Sequence, residues 1–112
     1  MSWYTVSLLF KASYKIQSNN TPLWEERLLL INADSADAAA GEGASIGKRG
    51  EHTYEVGNRS IEGEKQNLTW TFDRIERVFL VEDDRLDHGT ELFSRYLRDS
   101  EVRSLLTPFE DE

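Results

Sequence analysis

The sequence predicts an α+β domain, built as a single antiparallel sheet of about five strands in the order β-β-α-β-β-β-α, with one main helix packed on one face and a short C-terminal helix. Three observations carry this. Apolar residues alternate with period two before Asp34 and again after Asn67. Between Asp34 and Gly50 the period changes to about 3.6. Polar turn residues separate the strands, and the alternating βα units of parallel folds are absent. At 112 residues the chain is of single-domain size and buries roughly two thirds of its unfolded surface. Residues 1–109 are read as one domain and 110–112 as an acidic tail.

Trp3 to Ala12 sets Tyr4, Val6, Leu8, Phe10 and Ala12 on one face and Trp3, Thr5, Ser7, Leu9 and Lys11 on the other, the pattern of a half-buried strand. "QSNNTP" supplies turn residues. "LWEERLLLINA" follows as a second strand, with Trp24, Glu26, Leu28 and Leu30 opposite Leu23, Glu25, Arg27, Leu29 and Ile31. Asp34 or Ser35 can then cap a helix running from about Ala36 to Lys48, where Asp37 complements its positive end and Lys48 and Arg49 its negative end. Gly50 is placed to close it. The inward stripe, Ala36, Ala39, Ala40, Gly43, Ile46 and Gly47, is nearly all small, so a helix backbone can lie close to a sheet. A glycine costs about 1 kcal/mol relative to alanine in a helix interior, so packing has to hold this helix.

"EHTYEVG" reads as a short strand and "NRSIEGEKQ" as a polar connection. In "NLTWTFDRIERVFLVED", Leu68, Trp70 and Phe72 share one face, and Ile75, Arg77, Phe79 and Val81 take it over by a shift of one residue. A strand cannot change face without an irregularity, which predicts a bulge near Asp73 and Arg74. "TELFSRYL" fits a strand or a helix; a connection of about seven residues ending at Gly89 favours the strand. "DSEVRSLLTPF" opens on a cap at Asp99 or Ser100 and is stopped by Pro108, giving a helix of about two turns.

The chain has no cysteine, so disulfides, thiolate zinc sites and cysteine nucleophiles are excluded. "MSWYTVSLLFKAS" has neither a basic leader nor a run long enough to span a bilayer, which makes a cytoplasmic location the expectation. A net charge of -8 without clustered Lys and Arg argues against a nucleic-acid surface. It allows a basic protein partner.

Two letter-level motifs fail on context. "GASIG" matches a nucleophile elbow, but Ser45 falls late in a helix rather than on a strand-to-helix turn. Gly41, Gly43, Gly47 and Lys48 resemble a phosphate loop, yet the spacing is too long and Arg49 follows the lysine. "VEDDRLDHGTEL" gathers acids around His88, but an EF-hand started at Asp84 would put Leu86, His88 and Arg95 at ligand positions. Asp84 or Asp87 with His88 and His52 matches no transition-metal template, and Asp84 with Glu91 lacks the pocket that carboxylate catalysis needs. No cofactor or metal is expected. The stretch is a solvated connection or a binding patch. Trp24, flanked by Glu25 and Glu26, is the aromatic best placed to anchor a partner.

"WYTVSLLFK", "LWEERLLLINADSADAA" and "HGTELFSRYL" together, in this order, resemble a family of small bacterial proteins catalogued only as a domain of unknown function, numbered four-two-eight-eight. The resemblance implies a stand-alone cytoplasmic domain and brings no activity with it. It marks Trp3, Tyr4, Trp24, Glu25, Glu26, Gly89, Ser94 and Arg95 as signature positions.

Independently of the family, an acid of the second strand, Glu25 or Glu26, can meet Arg95 across the sheet, with Ser94 or Tyr96 adding hydrogen bonds. Glu26, Arg95 and Tyr96 are therefore the expected charged network. Trp24, Glu25, Glu26, Asp83, Asp84, Asp87 and His88 are the expected partner contacts. The function expected is a non-catalytic protein-interaction module, monomeric or homodimeric, such as an immunity or inhibitor protein for a basic toxin or nuclease. The alternative is a ligand-binding protein or enzyme with a site around Glu26, His88 and Arg95.

Overall fold

A computed structural model of the chain describes residues 1–14, 23–57, 65–83 and 85–108. The described residues form six elements in order: β1 (Ser2–Tyr14), β2 (Trp24–Ala33), α1 (Ala36–Arg49), β3 (His52–Gly57), β4 (Lys65–Val81) and α2 (Asp99–Leu106). The strands form one antiparallel sheet in the order β2-β1-β4-β3, and α1 covers one face of it. Among the described residues no helix is long and apolar enough to cross a membrane.

The inner face carries the core. Val6, Leu8 and Phe10 of β1 are buried, flanked by Ile31 on β2 and by Leu68, Trp70 and Phe72 on β4. α1 approaches this face through its glycines. A Cβ on Gly43 would stand 2.8 Å from the Val6 side chain, and one on Gly47 2.6 Å from the Phe72 ring. Ser35 caps the helix, its Oγ accepting from the Ala38 N–H at 3.1 Å, and Gly50 closes it.

The α+β class, the main helix and the C-terminal helix are as the sequence predicts, but the sheet has four strands rather than about five. Residues 90–97 form neither strand nor helix. β1 and β4 already have neighbours on both sides, so this segment finds no ladder beside them. It crosses the outer face instead, where the Thr5 hydroxyl donates to the Leu92 carbonyl. The expected irregularity in β4 is present and doubled, with register shifts opposite Leu9/Phe10 and opposite Ser7/Leu8. The first leaves Asp73 unpaired and puts Ile75 on the inner face; the second leaves Glu76 unpaired. Arg77, Phe79 and Val81 therefore face outward, not inward as the single shift implied. The cap of α2 is Arg98, not the predicted Asp99 or Ser100. The tail 110–112 lies outside the described residues.

Candidate functional site

The outer face of the sheet, away from α1, is where the charged positions meet. Pairing of Lys11 with Trp24, Leu9 with Glu26, Ser7 with Leu28 and Thr5 with Leu30 sets these residues on that face. Its centre holds polar side chains, Thr5 and Ser7, both buried. They are buried because the segment 90–97 lies across them like a strap. The strap is anchored at β4, where the Phe93 ring packs on Phe79 at 5.6 Å between centroids. At the other end it reaches β2, where Arg95 Nη1 comes to 3.8 Å from Glu26 Oε2. The same Glu26 oxygen accepts from Ser7 Oγ at 3.4 Å. A strap held by a hydroxyl, an aromatic pair and one long ion pair is weaker than a strand ladder. Half-exposed ion pairs contribute about 0–1 kcal/mol.

Each predicted residue except Asp84 has a definite place. Glu26 and Arg95 are brought together, by the strap rather than by strand pairing. Tyr96 stands apart from them, fully exposed. Trp24 is half-exposed on β2, with Lys11 Nζ 5.3 Å from its ring centroid. Glu25 points to the inner side and pairs with Arg27 at 2.6 Å. Asp83, Asp87 and His88 are exposed beyond the end of β4; Asp84 lies outside the described residues. From Asp87 to Thr90 the chain makes a tight turn. The Asp87 N–H donates to Thr90 Oγ1 at 2.8 Å and the Thr90 N–H to the Asp87 carbonyl at 3.1 Å. Gly89, at φ 89°, supplies the positive φ that the third position of a type II turn requires.

His52 stacks on Tyr54, and among the described residues no three His, Asp or Glu side chains gather at metal-binding spacing. Ser45 sits within α1 and accepts from Arg49 Nη1 at 2.9 Å, so the elbow-like letters belong to an ordinary helix turn.

Arg27 is a residue the sequence reading passed over. It lies on the inner face with its guanidinium 4.1 Å from the Phe10 ring centroid, beside Gly50 at the C-terminal end of α1. There the helix dipole favours a cation. The signal was available: Glu25 and Arg27 fall two apart in an alternating strand, hence on one face. Glu51 is a second such residue. Its carboxylate accepts the Phe72 N–H at 2.9 Å beside the first bulge, which no local pattern announces.

The family model described as a domain of unknown function, DUF4288, matches residues 3–94. The chain belongs to this family. The DUF4288 match takes in the sheet, α1 and most of the strap, and its last residue is Ser94, one short of Arg95. α2 lies beyond it. No curated protein and no solved structure matches the chain.

Proposed function

We propose that this chain works in the bacterial cytoplasm as a non-catalytic protein-interaction module. The observation that carries the reading is the apolar row Trp24, Leu28 and Leu30 on the outer face of the edge strand β2, which the strap stops short of covering. Single apolar residues on a surface need no explanation; three on one face of an open sheet edge, with only Glu26 between Trp24 and Leu28, mark a contact site. Glu26, beside Trp24 on the same face, adds a polar rim group of the kind that surrounds such contacts. The row is tested by capture from the native cell with tagged chain, wild type against the paired change Leu28→Lys and Leu30→Lys. Both side chains are already exposed, so far-UV circular dichroism stays unchanged while a stoichiometric partner is lost. Equal capture by both proteins would sink the reading.

A basic partner, such as a toxin or nuclease that this protein would neutralise, is favoured by a second observation. β1 pairs Ser2 with Ala33 and Trp3 with Val81, so the acids that follow β2 and β4 share one end of the sheet. Asp34, Asp37, Glu82 and Asp83 are all exposed there, and neither 28–47 nor 78–84 contains a lysine or arginine. Such an end raises the association rate of a cation through long-range attraction. Neutralising Asp34, Asp37, Glu82 and Asp83 to their amides slows association with a captured basic partner and flattens its salt dependence; an unchanged on-rate discards this partner class. The ligand or enzyme reading around Glu26, His88 and Arg95 has less support. One open groove is lined by Arg95, Leu97, Ser100, Glu101, Ser104 and Leu105, and another includes Leu30, Ala38 and Ile46; neither takes in Glu26 or His88.

A further inference from the structure

The strap lies on the sheet as a bound peptide would, not as a strand. Among the described residues no bond between main chains joins residues 90–97 to the sheet. Side chains make the contacts. The Phe93 ring rests on Phe79 at 5.6 Å, with the Arg77 guanidinium 5.9 Å from the same ring. The Thr5 hydroxyl reaches the Leu92 carbonyl, and Arg95 ends at Glu26. Phe93 and Arg95, two positions apart, therefore fill an aromatic seat on β4 and an acidic seat on β2, with β1 between them.

The surface beneath tolerates being bare. On its inner face β1 carries Val6, Leu8 and Phe10, which belong out of water. Under the strap the same strand presents Thr5 and Ser7, 3% and 0% exposed, whose hydroxyls can bond to water instead. The acidic seat is also underfilled. Glu26 is reached by Ser7 Oγ at 3.4 Å and by Arg95 Nη1 at 3.8 Å, both longer than the roughly 2.5–2.9 Å of a well-formed charge-assisted bond. Opening disturbs little else. Upstream the strap begins at Gly89, whose φ of 89° marks a residue with the backbone freedom a hinge needs. Downstream α2 approaches no other helix or strand among the described residues, and it shares a groove with Arg95 and Leu97 of the strap itself, so strap and α2 can swing together.

We propose that the strap is a self-ligand: it closes a groove on the outer face in which an extended segment of the partner, with an aromatic residue and an arginine two positions on, takes its place. This rests on the protein-interaction reading and names the feature of the partner that is recognised. Charge complementarity selects the arginine, because the seat on β2 is the Glu26 carboxylate and a guanidinium already occupies it. The ring is selected by Phe79 and by Arg77, an aromatic and a cation that both favour a π-face. Leu28 and Leu30 stand on the same face beside this groove, so a partner resting on them has only to extend one segment inward. A tethered ligand competes at an effective concentration on the order of mM. The strap thus sets a threshold: a free peptide is turned away, and a partner that engages the leucines as well displaces it.

The probe is a synthetic peptide of residues 89–98, added to the full chain. Phe93→Ser combined with Arg95→Ser empties both seats and changes no residue of the sheet. This variant is expected to bind the peptide with a Kd below about 1 mM, since the same contacts hold the strap against a tether of about that effective concentration. Its affinity should exceed that of the wild type at least about tenfold, because in the wild type the groove is open in only a minor fraction of chains. The peptide carrying the same two serines should not bind. Equal affinity of wild type and variant, or no binding to a folded variant, overturns the proposal. If the variant does not fold, the isotope-labelled wild type decides. Excess unlabelled peptide should move the amide shifts of residues 92–97 toward those of the free peptide and perturb Thr5, Ser7 and Glu26; strap shifts that stay in place overturn the proposal. If the peptide fails while Leu28→Lys with Leu30→Lys abolishes capture of a partner, only the self-ligand fails; if that capture is unaffected too, the interaction reading fails with it.

Discussion

Gly41 and Gly47 lie in the same helix and answer to opposite rules. A Cβ at Gly47 would meet three atoms of the buried Phe72 ring at 2.6 to 2.9 Å, whereas one at Gly41 would meet nothing within 4 Å. Gly47→Ala gains about 1 kcal/mol of helix propensity but overpacks the sheet contact by about 1–3 kcal/mol, so a net loss of about 1 kcal/mol is expected. Gly41→Ala keeps the gain without the clash and raises stability by up to about 1 kcal/mol. Urea midpoints of the two variants should move in opposite directions. The small inward stripe was legible in the sequence because only small residues recur at helical spacing there. The Glu26–Arg95 contact was legible for a related reason: a charge inside an apolar pattern has to find a partner. At 3.8 Å with both side chains part-exposed, a double-mutant cycle on Glu26→Ala and Arg95→Ala should return a coupling of less than about 1 kcal/mol. A value of several kcal/mol would mean a buried, tightly bonded pair.

At the scale of elements, α2 depends on its first turn. The Arg98 N–H and its Nε both donate to Glu101 Oε1 at 3.0 Å. Arginine has no side-chain acceptor to return the bond, so the Glu101 N–H turns to the Arg98 carbonyl. The main-chain bond from Arg98, then the side-chain bond, hold the Glu101 carboxyl below its ordinary value. A lowered value means support that is full above the ordinary carboxylate range and is lost as pH falls through the lowered one. α2 should therefore fray on acidification, read as a loss of helical carbon chemical shifts at Val102 to Leu105, with α1 unchanged over the same range. Helix ends were readable from caps and dipole charges. The strap was not, since period two records only that an extended chain has one side in and one side out. A chain lying flat across a sheet satisfies that as well as a strand bonded within one.

For the whole molecule, order should decay outward from β1, whose Val6, Leu8 and Phe10 are buried between two neighbouring strands, toward β3, which pairs with β4 alone and exposes most of its side chains. Amide exchange is expected to be slowest along β1 and fastest along β3 and α2. Because α2 approaches no other element among the described residues, removing residues 99–112 should change the unfolding free energy of the dilute chain by less than about 0.5 kcal/mol; a larger loss would mean that α2 packs on its own sheet. The order of elements, apart from the strand expected over 90–97, and the single layered core followed from the sequence, while strand adjacency did not, because β1 takes β4 as its second neighbour over a long separation that local pattern does not encode. One feature of that pairing bears on how such a chain tolerates change. The two bulges in β4 each invert the alternation of sides, so together they cancel: Phe72 and Val78 face α1 again, and only the residues between them are out of step. Loss of either unpaired residue, Asp73 or Glu76, would close its own bulge and leave Arg77, Val78 and Phe79 opposite their present partners and on their present faces, so this stretch should tolerate shortening by one residue, or by two, at the bulges themselves.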